Sequence, residues 1–273
     1  MITIDTHTHV NFNAFKKDGD EIIKKSLQEN VWMINVGSEN KTSQRAIDYA
    51  QKYKEGVYAA VGLHPIHLFS IESLEDENNV EKFNYQKYLK FTQQNKVVAI
   101  GEVGLDYHHF EENHDIKSIK KLQKEVFKEF LKLSQQTKKP LIIHCWDAYD
   151  DLLEILNDFF KNNKIDYEIG VIHSFIGSWK TAQKFLDLRF KIGINGIATY
   201  SESYDKLIRN CPLKDLLIET DAPYLTPKPL PRDSRNEPIN VKLIAKKIAE
   251  VKNIKIEKVI EQTTKNAKSV FKI

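Results

Sequence analysis

The chain reads as an α/β protein, a closed (β/α)8 TIM barrel in one domain over residues 1–273, and three observations carry that reading. Apolar, β-branched runs recur eight times, at residues 2–7, 31–36, 57–63, 97–103, 141–145, 169–173, 190–194 and 216–220. They are continuous rather than alternating, as strands buried on both faces of a parallel sheet must be, and segments of helical period separate them. The turn after the first run carries His7-Thr8-His9, where an open doubly wound sheet would need a glycine-rich phosphate loop. A length of 273 residues is ordinary for one such barrel.

In chain order, the first run ends in two histidines spaced i, i+2, a spacing that sets both imidazoles on one face of a strand. The clearest helix has Ile116, Ile119, Leu122, Val126, Phe130 and Leu133 at spacings of three and four. Asp147 is expected to open another, with Asp150 and Asp151 in its first turn and Leu152, Leu153, Leu156 and Phe160 along one face. Asn240 is expected to cap a helix bearing Val241, Leu243, Ile244 and Ile248. The stretch Pro223 to Pro238, with Pro227, Pro229 and Pro231 between, reads as a long, stiff loop over the barrel mouth. No internal repeat or low-complexity segment interrupts this order.

Composition limits the function classes. Apolar residues at 41% and charged ones at 29% suit a soluble globular protein with a sizeable core. No apolar run approaches the length of a membrane span, and the N-terminus enters a strand with no basic-then-apolar leader, so the expected location is the cytoplasm. Cys145 and Cys211 form no CxxC pair and read as reduced thiols. A net charge of +3 is weaker than a protein wrapping duplex through many phosphates would carry.

Candidate metal ligands fall at the ends of the apolar runs: His7 and His9 after strand 1, Glu102 ending strand 4, His144 strand 5, His173 strand 6 and Asp221 strand 8. In a barrel these ends share one rim, where active sites of the fold sit. Each residue alone has a plainer reading, as a hydrogen-bonded structural histidine, a helix cap or a salt-bridge partner. Burying an ionisable group without a partner is costly, and six such groups in five apolar strands are better explained by a metal site. Six ligands exceed what one tetrahedral zinc needs, and a structural site would use cysteine. Two divalent ions sharing a carboxylate fit better, a pairing suited to hydrolysis of phosphate esters or amides.

At these residues the sequence resembles the TatD-like metal-dependent deoxyribonucleases, a branch of the amidohydrolase-like barrels. The matching stretches are Ile4-Asp5-Thr6-His7-Thr8-His9, Gly62-Leu63-His64-Pro65, Ile100 to Tyr107, Pro140 to His144, Ile172-His173-Ser174-Phe175, Ile218 to Leu225, and Arg235-Asn236-Glu237-Pro238. Related barrels carry a carboxylated lysine on strand 4; this chain has Glu102, as the TatD branch does. The resemblance implies that His7, His9, Glu102 and Asp221 hold one metal, and Glu102, His144 and His173 the other. It implies His64 at a substrate phosphate, while a plain loop histidine before Pro65 remains the alternative. Two departures stand out. Trp146 occupies a position where the family commonly has arginine, so a phosphate contact is either missing or supplied by Lys and Arg of the Pro223–Pro238 loop. Ser174-Phe175-Ile176-Gly177 replaces a common Cys-Phe-Ser-Gly.

The activity implied is a metal-dependent phosphodiesterase acting on DNA, a 3′ to 5′ exonuclease on single-stranded ends. A water activated by two metals attacks phosphorus, with Asp221 and Glu102 as the catalytic carboxylates; Asp221 accepts the proton and Glu102 bridges. The ions are Mg, Mn or Zn, since imidazoles favour Zn²⁺ or Mn²⁺ while the resemblance implies support by Mg²⁺. No membrane and no obligate protein partner are expected. Two alternatives stay open: an ester or amide hydrolase such as a D-aminoacyl-tRNA deacylase, and a non-catalytic nucleic-acid-binding barrel. The remaining candidates read structurally. Cys145 packs away from His144, Asp106 shapes its loop, Trp32 and Trp179 pack, and His67, His108, His109 and His114 lie in loops, with His108 and His109 near enough to a rim strand to brush substrate.

Overall fold

In the computed structural model, which describes residues 1–69, 80–110 and 114–273, eight parallel strands pair in sequence order. They are β1 (Thr3–Thr8), β2 (Val31–Val36), β3 (Val57–Val61), β4 (Val97–Asp106), β5 (Leu141–Trp146), β6 (Gly170–Ile172), β7 (Lys191–Ile194) and β8 (Leu216–Ile218). The last strand returns to the first through Asp221 N to His7 O (2.9 Å), His9 N to Ala222 O (2.8 Å) and a parallel bridge between Thr8 and Ala222, so the (β/α)8 barrel is nearly closed. Around it run α1 (Gly19–Gln28), α2 (Asn40–Lys52), α3 (Tyr85–Thr92), α4 (Ile116–Thr137), α5 (Tyr149–Asn162), α6 (Trp179–Asp187), α7 (Ser203–Asn210), α8 (Val241–Lys252) and α9 (Ile256–Phe271).

The apolar residues sort into two layers because successive strand side chains face opposite ways. The outer layer meets the helices: Val31, Met33, Ile143 and Ile192 pack with Phe127 and Phe130 of α4, Leu152 and Leu156 of α5 and Ile244 and Ile248 of α8. The inner layer holds Ile4, Ile34, Val36, Ala60, Ala99, Ile142, Val171 and Leu217, joined by Ala267, Val270 and Phe271 of α9. That helix sits where strands begin. Thr264 Oγ1 donates to Ile2 O (2.8 Å), and Asn266 Nδ2 donates to Leu213 O (2.9 Å) and Leu216 O (2.7 Å). The barrel is thus plugged with hydrocarbon at one end and left open to polar side chains at the other. No α9 was expected from the sequence, although Ile256, Val259, Thr263, Ala267 and Val270 keep the helical spacing.

Several boundaries differ from expectation. β4 continues to Asp106, so Glu102 lies inside the strand, and His144 likewise precedes the last two residues of β5. Asp147 does not cap α5: the helix starts at Tyr149, and Asp147, at φ +54°, accepts at Oδ2 from His108 Nδ1 (3.0 Å). Asn240 does precede α8, but its amide donates to Asn236 Oδ1 (2.9 Å) instead of capping. Cys145 and Cys211 are buried free thiols, and burial pushes Cys211 up to about 12. Trp32 and Trp179 pack against the two layers as expected. Among the described residues no helix is long and apolar enough to cross a membrane.

Candidate metal centre

Two strand irregularities turn the polar residues inward. In β4, Ile100 and Val103 both belong to the outer layer although they are three residues apart, which strict alternation forbids. A break in the pairing with β5 between those residues absorbs the extra position and leaves Glu102 facing the barrel interior. The bare Cα of Gly62 makes room: a Cβ there would lie 2.5 Å from Gly101 C, and the Glu102 backbone instead rests against it with its N–H donating to Gly37 O (2.8 Å). β1 has a similar break between Asp5 and Thr8. The buried Asp5 carboxyl accepts from Thr220 Oγ1 (2.6 Å) and Thr220 N (2.9 Å), tying the first strand to the last and setting His7 beside Asp221.

All six expected ligands converge. Glu102 Oε2 lies 3.4 Å from His7 Nε2 and 3.8 Å from His9 Nε2, while Oε1 lies 3.1 Å from His144 Nδ1 and 3.4 Å from His173 Nε2. Asp221 Oδ1 completes the first group at 3.3 Å from His9 Nε2 and 3.7 Å from His7 Nε2. The far nitrogens fix the tautomers. His9 Nδ1 donates to Val36 O (2.8 Å), His173 Nδ1 to Glu219 Oε1 (3.0 Å) and His144 Nε2 to Asp106 Oδ2 (2.8 Å). Each of these rings therefore carries its proton at the back and aims a lone pair at the carboxylates. His7 Nε2 is also 3.0 Å from His9 Nε2, and its ring stacks on His173 with centroids 3.6 Å apart.

Three imidazole lone pairs and two carboxylates facing one another call for positive charge at their centre. Burial works against the Glu102 carboxylate, but His64, His7 and His173 and the contact with His144 outweigh it and hold the group well below the usual carboxylate range. Burial opposes Asp221 too, and His173, His9 and His7 bring it to about 2. The same attraction lifts His144 to about 10 against its burial, through Asp106 and Glu102, and raises His173 through Glu219, Asp221 and Glu102. A divalent cation supplies that charge without protonating the imidazoles, so the donor set fits one.

His64 differs from the rest. Its Nδ1 accepts from Ile66 N (3.2 Å), so the neutral ring carries its proton on Nε2, which lies 3.6 Å from Glu102 Oε1. Burial and the neighbouring His144 push its pKa down to about 3, so it is a neutral hydrogen-bond donor at the cavity wall. Asp106 shapes its loop as expected, with Oδ1 accepting from the N–H groups of His108 (3.0 Å) and His109 (3.1 Å), but Oδ2 also holds His144. Glu219 was missed altogether. Its buried carboxylate accepts from His173 Nδ1 and Ser174 N and occupies the space over Gly193, where a Cβ would come within 2.6 Å of Oε1. The signal was present: Glu219 and Asp221 are two carboxylates at i, i+2 closing an apolar strand.

The proline-rich loop reaches the mouth only with Tyr224 and Leu225. Buried Asn236 pins it, donating to Thr220 O (3.0 Å) and Tyr224 O (2.8 Å). Its cations are engaged elsewhere: Arg235 with Asp18, Lys228 and Arg232 over the Tyr200 ring. None of these three cations lines the cavity. His67 donates or accepts through Nε2 at Ser38 Oγ (3.2 Å), His109 lines the cavity, and His114 packs on Phe69.

A parallel barrel with imidazoles and buried carboxylates converging at its C-terminal rim defines the class of metal-dependent barrel hydrolases. Comparison with known proteins narrows it: the model of the TatD related DNase family matches residues 4–272, and the chain belongs to that family. It is 36% identical over 98% of both chains to YabD of Bacillus subtilis, described as a metal-dependent hydrolase, and 30% identical to MJ1582 of Methanocaldococcus jannaschii over 98% of this chain and 96% of that one. Among solved structures, the TatD homologue YJJV of Escherichia coli K12 superposes with a TM-score of 0.83 at 28% identity, covering 99% of this chain and 98% of the other.

Proposed function

We propose that the protein, as one barrel domain over residues 1–273, is a phosphodiesterase that hydrolyses DNA from single-stranded 3′ ends with two divalent ions. One observation carries the reading: the two oxygens of Glu102 face two separate groups of imidazoles. Glu102 would then serve both ions, with His7, His9 and Asp221 holding one and His144 and His173 the other. Support for DNA as substrate comes from the family to which the chain belongs. A cavity of about 300 Å³ favours one strand end over a duplex.

When bound, the ions supply positive charge to phosphoryl oxygens and make a water acidic near neutral pH. The chain's own residues do the rest. Asp221, ionised at neutral pH, accepts the proton of the attacking water at Oδ2, the oxygen turned away from His7 and His9. His64 donates from Nε2 to a non-bridging phosphoryl oxygen, where charge grows as phosphorus is attacked. Val36 O, Glu219 and Asp106 keep His9, His173 and His144 in single tautomers, so no ring has to turn over during the reaction.

The test is to strip the protein with a chelator, reload it with Mn²⁺, and offer labelled single-stranded DNA and, separately, D-aminoacyl-tRNA. Mononucleotide release from DNA, with about two ions per chain by elemental analysis, is the expected outcome. Deacylation alone would replace the nuclease with the ester-hydrolase alternative. A fully loaded protein inert toward both would overturn hydrolysis of either bond.

A further inference from the structure

The cavity over the centre is unusual for a site handling a polyanion. Among the described residues its lining includes no lysine or arginine, and residues 70–79 and 111–113 carry none in their sequence. Its wall above the histidines is instead apolar and aromatic, with Phe12, Ile66, Trp146, Ile176, Tyr224 and Leu225. A chain of phosphates gains nothing from such a wall. A flat ring does.

Trp146 is the residue best placed to hold one. It ends β5, two positions after His144, and is half-buried at the cavity edge. The ring of His108 stacks on it with centroids 4.2 Å apart and planes within 14°, and His109 meets it edge-on at 5.3 Å. Both braces are themselves anchored, His108 by Asp147 (3.0 Å) and His109 by Asp106 (2.9 Å). His108 covers one face of the indole and lies outside the cavity lining, whereas Trp146 itself is part of that lining. An indole held this way loses little rotamer freedom on binding, which is the condition for a stacking platform.

We propose that Trp146 stacks the base of the terminal nucleotide, so that the site selects a strand end by an aromatic ring beside the scissile ester and not by a run of phosphates. The inference rests on the nuclease reading above. It makes Trp146 a specificity residue, tolerant of base identity because every base has a π-face.

The experiment uses Mn²⁺-loaded protein and short single strands that end at the 3′ side in a normal nucleotide or in an abasic one, with KM and kcat measured for the first cleavage. In the wild type, loss of the base is expected to raise KM about tenfold, within the range of base–aromatic stacking. Trp146→Ala should raise KM on the normal end by the same factor and leave the abasic end unchanged, while Trp146→Phe keeps most of the preference. A methylphosphonate-linked dinucleotide ending in 2-aminopurine should lose fluorescence on binding the wild type and not on binding Trp146→Ala. Equal KM for the two ends in the wild type overturns the stacking role and leaves the nuclease standing, as does an equal shift on both ends in Trp146→Ala. Absence of cleavage at either end by fully loaded protein overturns both. If Trp146→Ala fails to fold, the wild-type comparison and Trp146→Phe still decide.

Discussion

The two ends of this barrel are made by the same strands and obey opposite rules. At the end where the strands begin, Ile4, Ala99, Val171 and Leu217 meet Val270 and Phe271 of α9 in an apolar layer, and the polar side chains there, Thr264 and Asn266, do no more than pin the helix to backbone carbonyls. At the other end, two strands break their alternation, and buried carboxylates and imidazoles are forced together. The first arrangement stabilises the fold. The second is tolerated because the first supports it, as stability and activity divide between the two faces of this architecture.

Predictions can break that division at either end. The largest effect is expected for Asp221→Asn, which should lower hydrolysis by about 10²–10⁴-fold with circular dichroism unchanged; retained turnover at full metal content would remove Asp221 from the chemistry. At the opposite end, Phe271→Ala should cost about 3–5 kcal/mol and show as a fall of roughly 10 °C in Tm. Activity per folded molecule should hold, and a selective loss of activity would mean that the two ends are coupled.

Smaller changes sharpen the boundary. Glu219→Gln removes the anionic acceptor behind His173, and metal affinity measured by calorimetry is expected to weaken about 10–100-fold with little change in Tm. The smallest effect belongs to the Asp18–Arg235 pair, about one third exposed and outside both layers. The hydrogen bond from Arg235 holds the Asp18 carboxyl below its ordinary value. A depressed carboxylate contributes above its unfolded pKa and loses that contribution as pH falls through the folded one. Asp18→Asn should therefore cost under about 1 kcal/mol at pH 7, and the difference in denaturation midpoint should narrow as pH falls below about 4. A difference that grows on acidification contradicts the assignment.

Legibility in the sequence followed how local each signal was. The eight strands could be read because burial on both faces makes a continuous apolar run, and the six converging residues because ionisable groups at the ends of such runs stand out. Asp106 and Glu219 were harder. Their partners, His144 and His173, lie 38 and 46 positions away, and nothing in the intervening chain announces the pairing. The caps assigned to Asp147 and Asn240 failed for a related reason: each side chain had a tertiary partner, in His108 and Asn236, that outcompeted the local helix terminus.

What the sequence by itself determined is the barrel, its family and the residue types available at the rim, because periodicity and burial act through near neighbours along the chain. Which way those residues face was decided only in three dimensions. Strict alternation carried on from Ile100 would keep Val103 out of the outer layer and turn Glu102 toward the helices. The break opposite β5, made possible by the bare Cα of Gly62 just beyond β3, sends its carboxylate into the centre of the barrel.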